Sequence, residues 1–154
     1  ARAPGLDVGL FDLPEVADQA RTRLEAAGLG SRVRIHSGSF LTDPLPDGAD
    51  LISLIRILHD HDDDAVRHLL GAARRALAPG GTLLVAEPMA GARGAEPMGE
   101  AYFGWYLTAM GGGRPRSAET LGAMLREAGF AKVRIHASRM PVIAGLITAR
   151  APRS

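Results

Sequence analysis

Between Leu51 and Asp64 an apolar run ends in two histidines and four aspartates, His59-Asp60-His61-Asp62-Asp63-Asp64. A hydrophobic strand that carries ionisable groups to its carboxyl end is how open α/β sheets build active sites, because the crevice lies there. His59 is the first polar group after the run apart from Ser53 and Arg56. A neutral imidazole near pH 7 is a ready proton acceptor, so His59 is a candidate general base. Two other readings stand beside it: a strand-end histidine without chemistry, or a His/Asp metal site. No distant histidine or carboxylate run completes a metal set, so no metal is expected. Asp62, Asp63 and Asp64 read as a helix start, with Asp62 as the cap and the other two favouring the positive end of the helix dipole.

Two further acids occupy comparable places. Glu87 follows the apolar run Leu83–Ala86, and a carboxylate there can orient a histidine ring and stabilise its protonated form. Asp12 follows Val8–Phe11, where nucleotide-binding α/β proteins bond ribose hydroxyls; it also suits a cap for the helix starting at Pro14. The glycine-rich stretches point elsewhere. Leu10 and Phe11 follow Asp7-Val8-Gly9 where further glycines would be needed, and Gly111-Gly112-Gly113 reads as a helix stop and turn. No G-x-G-x-x-G run exists in these residues. The apolar segment Tyr102–Met110 suits core, a subunit contact, or the wall of a lipophilic pocket.

The elements that must hold these groups alternate with little slack. Strands are expected at Val8–Phe11, Val33–His36, Leu51–Leu58 and Thr82–Ala86, with a final antiparallel pair at Lys132–Ala137 and Val142–Ala149 joined through Pro141. A helix from Pro14 to a stop at Gly28 presents Val16, Ala20, Leu24 and Ala27 on one face. A second runs from near Asp62 to Leu77, with Val66, Leu69, Leu70, Ala73 and Leu77 inward and Pro79-Gly80-Gly81 as its end. A third is capped by Ser117 and faces Leu121, Met124, Leu125 and Ala128 inward, up to Gly129. Such alternation predicts a doubly wound, mostly parallel α/β sheet with helices on both faces.

Composition narrows the class. The chain has 154 residues, enough for one domain with a sizeable core. Seventeen Arg and one Lys oppose seventeen acids, for a net charge of +1, which gives no footprint for nucleic acid. The absence of cysteine excludes thiol nucleophiles, disulfides and zinc-thiolate sites within these residues. No apolar stretch approaches the roughly 18 residues that span a bilayer, so no transmembrane segment is expected and a cytoplasmic protein is the simplest reading.

Taken in order, Leu10 to Val16, Arg32-Val33, Gly38-Ser39-Phe40, Asp50 to Asp64, Pro79 to Glu87 and Ala128-Gly129-Phe130 resemble the S-adenosylmethionine-dependent O-methyltransferases that methylate hydroxyl groups of small molecules. Glu96-Pro97, Tyr102 to Leu107 and Met110 to Arg116 are similar to the bacterial members that methylate hydroxylated carotenoids. The resemblance implies a Rossmann-like class I methyltransferase sheet, S-adenosylmethionine as cofactor and a lipophilic hydroxyl acceptor. It implies His59 as the base, Glu87 as its support, Asp12 on the ribose, and Ser39 and Phe40 beside the adenine. Two positions depart from the family: Ser39 stands where an Asp is usual, and a second supporting Glu falls near Pro115. The family's first strand, Gly-rich loop and amino-terminal dimerisation domain are missing. Residues 1–154 are therefore expected to be a catalytic domain incomplete at its amino end, cut from a homodimeric protein. Two other functions remain open from the residues: a nicotinamide-dependent dehydrogenase, which would lack a Tyr-Lys pair, and a non-catalytic binding or interaction module.

Overall fold

The computed structural model describes residues 3, 5–91, 113–138 and 144–153. Two compact units make up the chain, Ala1–Pro46 and Asp47–Ser154. The aromatic segment Tyr102–Met110 and the Pro141 junction lie outside the described residues.

In the first unit, strand β1 (Val8–Asp12), helix α1 (Pro14–Ala26) and strand β2 (Val33–Ser37) form a β-α-β crossover. The strands pair in parallel from Val8 opposite Val33 to Asp12 opposite Ser37. Pro14 opens α1, where its fixed φ suits the first turn and its missing N–H costs nothing. Gly28, at φ 68°, turns the chain out of it. The expected apolar face of α1 holds only in part: Ala20 and Leu24 are half-buried beside the buried Ala17, while Val16 is 44% exposed and Ala27 is exposed. A sheet of two strands is too narrow to cover the broad stripe that the spacing proposes.

The second unit holds strand β3 (Ala49–Ile55), helix α2 (Asp63–Ala76), strand β4 (Leu77–Glu87), helix α3 (Ala118–Glu127), strand β5 (Ala131–His136) and strand β6 (Gly145–Arg150). The sheet order is β3-β4-β6-β5, parallel between β3 and β4 and antiparallel across the other two pairs. The parallel start and antiparallel carboxyl-terminal pair match expectation. The six strands form two sheets, however, and among the described residues β1 and β3 each have one strand partner.

Helix α2 buries Val66, Leu69, Leu70, Ala72, Ala73 and Ala76. Leu121, Met124 and Leu125 of α3 complete the core with Leu83, Val85, Ile147 and Ala149 of the sheet. Each large aliphatic side chain removed from water contributes about 1.5–3 kcal/mol, so this interior is the main stabilising element of the unit. Helix α2 packs on β4, and α3 packs on β5, β6 and α2.

Two boundaries and one burial pattern differ from expectation. Strand β3 stops at Ile55 rather than Leu58, because Arg56 adopts φ 55° and turns the chain. Strand β4 begins at Leu77, directly after α2, so Pro79-Gly80-Gly81 lies inside a strand and does not separate the two elements. Leu51 and Ile55 are each 56% exposed, against the expectation of a fully buried strand. They lie on the alternate face from Leu54, which is buried. Among the described residues, no helix is long and apolar enough to cross a membrane.

Candidate active site

The parallel register sets Ile55 opposite Ala86, so both strands end together and Glu87 comes next on β4. The Arg56 N–H donates to the Ala86 carbonyl at 2.9 Å, the last tie before the chain turns away. A single 3-10 turn follows at Leu58–Asp60 and carries His59. Its entry is gripped by Glu87: the Ile57 and Leu58 N–H groups both donate to Glu87 Oε1 at 2.8 Å. The other carboxylate oxygen, Oε2, lies 2.6 Å from His59 Nδ1. His59 is 3% exposed and Glu87 1%.

This geometry fixes the chemistry of the ring. With Glu87 ionised, Oε2 can only accept, so Nδ1 carries the hydrogen and donates it. In the neutral ring the lone pair is then on Nε2, which makes that nitrogen the basic one. Burial strengthens the attraction between Glu87 and a protonated ring, since little water screens it. Asp60 adds a second carboxylate, its Oδ1 3.3 Å from Nε2. That oxygen is buried without a hydrogen-bond partner, so its effect on the ring is charge proximity rather than a directed bond.

Asp62 caps α2, its Oδ1 accepting from the Ala65 N–H at 2.9 Å, as the sequence suggests. Asp63 does more than serve the helix dipole. It accepts from Arg114 Nη2 at 2.6 Å and from Arg116 Nε and Nη2 at 2.9 and 2.7 Å. The hydrogen bonds from Arg116 and then Arg114 hold its carboxyl below its ordinary value of 3.8. A lowered value means the fold favours the charged form, so the stabilisation is complete above the ordinary carboxylate range and is lost as pH falls through the folded-state value. Asp63→Asn is accordingly expected to lower the melting temperature by a few degrees at neutral pH. The gap from the native protein should close on acidification in thermal scans at stepped pH. A gap that persists unchanged into acid would mean that the charge of Asp63 contributes nothing.

Asp12, Ser39 and Phe40 belong to the first unit, whereas His59 and Glu87 belong to the second. Asp12 closes β1, and its Oδ1 accepts from the Leu13 N–H at 2.8 Å. The cap position of α1 is Leu13, so Asp12 is not the helix cap that the sequence also allowed. The Gly38 N–H donates to the Asp12 carbonyl at 2.9 Å, which brings the turn after β2 against the end of β1. The approach is close: a β-carbon at Gly38 would lie 3.0 Å from the Phe11 ring and 3.1 Å from Asp43 Oδ2, so either side chain would have to give way to a larger residue. Ser39 follows in that turn, its N–H donating to Asp43 Oδ2 at 2.7 Å and its Oγ accepting from the Leu41 N–H at 3.3 Å. Phe40 is half-buried beside it. Among the described residues, no three His, Asp or Glu side chains converge as a metal site.

The residues that sequence reasoning missed are Arg116 and Gly113. Arg116 is 4% exposed, and its guanidinium reaches the carbonyls of Leu58 and His61 around His59. Gly113 belongs to a run that reads as a helix stop, and a β-carbon on it would overlap the His59-Asp60 backbone. A buried cation pairing with an acid some fifty residues away leaves no local spacing to read.

An O-methyltransferase domain family matches residues 1–131. The demethylspheroidene O-methyltransferase of Cereibacter sphaeroides is 46% identical over 151 residues, which is 97% of this chain and 39% of that protein. The Rhodobacter capsulatus demethylspheroidene O-methyltransferase is 42% identical over 95% of this chain and 36% of its own length. Among solved structures, human N-acetylserotonin methyltransferase in complex with SAM superposes with a TM-score of 0.81 at 29% identity, over 97% of this chain and 41% of that one. The chain thus spans less than half the length of these relatives. With a family match over most of its residues, the chain belongs to the O-methyltransferase domain family.

Proposed function

We propose that the protein carrying this chain transfers a methyl group from S-adenosylmethionine to a hydroxyl oxygen of a small lipophilic molecule, with His59 as general base and a hydroxylated carotenoid as acceptor. The observation that carries the reading is the buried 2.6 Å contact between His59 Nδ1 and Glu87 Oε2 at the carboxyl ends of two parallel strands. The carotenoid clause draws on the similarity to the two demethylspheroidene enzymes. The extension to a cytoplasmic homodimer, joined through an amino-terminal domain that this chain does not contain, is part of the same proposal.

The residues of the first unit suit the adenosine end of the cofactor. Asp12 has one oxygen committed to the Leu13 N–H and the other left to accept from a ribose diol. Phe40 offers a flat apolar surface and Ser39 a small polar one for a purine. When bound, S-adenosylmethionine supplies a methyl group made electrophilic by its sulfonium. An aliphatic hydroxyl is far too weak an acid to ionise beforehand, so its proton must leave as the new O–C bond forms. His59 Nε2 takes that proton. Glu87, fixed on Nδ1–H, stabilises the imidazolium that results, and Asp60 adds a second nearby negative charge.

Labelled-methyl S-adenosylmethionine, supplied to the complete protein with hydroxylated carotenoids and with their deoxy counterparts, tests the reading. Label is expected in the hydroxylated acceptors alone. Transfer only to phenols would remove the carotenoid clause and keep the reaction. Binding of the cofactor with no transfer to any hydroxyl would replace catalysis with a binding role.

A further inference from the structure

Arg116 makes more polar contacts than any other buried side chain described, and nothing above gives it a task in the reaction. Its guanidinium has five N–H donors in a rigid plane, and all five are engaged. Nη1 donates to the Leu58 carbonyl at 2.7 Å and to the Arg114 carbonyl at 3.4 Å. Nη2 donates to the His61 carbonyl at 2.8 Å and to Asp63 Oδ1 at 2.7 Å, while Nε donates to the same Asp63 oxygen at 2.9 Å. Its backbone is anchored too. Arg116 bridges in parallel to Met89, two residues beyond Glu87, and its carbonyl accepts from the Ala90 N–H at 3.1 Å.

The turn that carries His59 is thereby held from two sides with opposite chemistry. Glu87, an anion, gathers the N–H groups of Ile57 and Leu58 that enter the turn. Arg116, a cation, gathers the carbonyls of Leu58 and His61 that flank His59. A third contact comes from Gly113, at φ 85°. A β-carbon there would collide with the carbonyl oxygen of His59 and lie 2.6 Å from the carbonyl carbon of Asp60. The segment from Gly113 to Arg116 thus presses on the turn and bonds to it at once.

We propose that Arg116 is a positioning residue for His59, fixing the backbone turn so that the ring keeps its place against Glu87, with Gly113 as the close-packed seat of that brace. The inference rests on the reading of His59 as the base. Lysine preserves the charge, but three donors on a flexible stem cannot serve three carbonyls and a carboxylate in one plane. Without the fork, the Leu58 and His61 carbonyls lose their donor and the turn is free to shift. A misplacement near 1 Å costs about 10²-fold in turnover when a catalytic group is involved.

The test compares the complete protein with Arg116→Lys, Gly113→Ala and His59→Gln variants. The readouts are kcat, KM, cofactor affinity, the melting curve and the low-field NMR resonance of the His59 Nδ1–H held by Glu87. Arg116→Lys is expected to lower kcat about 10- to 100-fold with KM within about threefold, and to shift or broaden that resonance. Gly113→Ala should move kcat and the resonance in the same direction. Native kcat with an unmoved resonance in Arg116→Lys overturns the proposal. Should Arg116→Lys melt without a cooperative transition, Gly113→Ala decides: an unmoved resonance there overturns the proposal as well. Full turnover in His59→Gln would instead overturn the base assignment, and the resonance would still report whether Arg116 positions the ring.

Discussion

Exchanging His59 for Gln in the complete protein is expected to lower turnover by about 10²–10⁴-fold, the range that a positioned proton acceptor contributes. Gln is the informative choice because it removes the base while keeping a polar side chain of similar reach, whose amide can turn to donate to the Glu87 Oε2 that Nδ1 now meets at 2.6 Å. Glu87 also keeps its two backbone donors from Ile57 and Leu58, so the buried carboxylate is not stranded. What Gln cannot do is hold a proton at the position of Nε2, because an amide is not a base near neutral pH. Cofactor affinity, measured by calorimetric titration, should stay within a few-fold, since the role proposed for His59 is to take the acceptor's proton and not to hold the cofactor. Single-turnover rates separate the chemical step from product release. A variant that turns over at the native rate would remove His59 from the mechanism and leave Glu87 a structural role only.

How much of this arrangement could be read from the chain depends on the range of each interaction. His59 and Glu87 were legible because each ends an apolar run, and parallel strands bring such ends to one sheet edge. The Asp62 cap was legible because capping is a contact between residues three apart. Asp63 was only half legible. Its helix position suited the dipole, but its partners Arg114 and Arg116 lie 51 and 53 residues further along. Local spacing carries no trace of such a pairing. The close approach of Gly113 was not legible for a related reason: a glycine needed near a distant backbone has the same sequence appearance as one that stops a helix.

The fold followed the same rule. Helix α2 was recovered from its periodicity because one broad sheet and a neighbouring helix bury the stripe that the spacing proposes. Helix α1 met the same test only in part, with Ala20 and Leu24 half-buried and Val16 and Ala27 exposed, since periodicity states which residues share a face and not how much sheet exists to cover them. The exposure of Leu51 and Ile55 makes the complementary point. Their apolar character specifies a strand built for burial on both faces, while among the described residues it is the face of Leu54 that is covered and the face of Leu51 and Ile55 that is left exposed.

Glu87→Gln is expected to reduce kcat by about 10²–10⁴-fold while retaining a cooperative melt, through a change of tautomer rather than a loss of structure. The amide has one oxygen and one NH2 group where the carboxylate had two acceptors. If its oxygen stays on the Ile57 and Leu58 N–H groups, which approach at 2.8 Å, its NH2 must face His59 Nδ1. Nδ1 then has to accept, which moves the hydrogen to Nε2 and removes the lone pair from the nitrogen proposed to take the acceptor's proton. The flipped amide is worse, since it sets NH2 against two backbone donors to satisfy one ring donor. The first arrangement therefore prevails, and the ring is held in place but in the wrong protonation pattern. Glu87→Ala gives the contrast, because it leaves three buried donors without an acceptor, at about 1–3 kcal/mol each, and should lower stability as well as turnover. Melting curves, kcat and the His59 N–H resonance together distinguish the cases. Glu87→Gln should lose the low-field Nδ1–H signal with a small change in melting temperature. If it keeps both the signal and the native turnover, the carboxylate is not what sets the tautomer of His59; if it melts as early as Glu87→Ala, Glu87 acts through packing and backbone bonds alone.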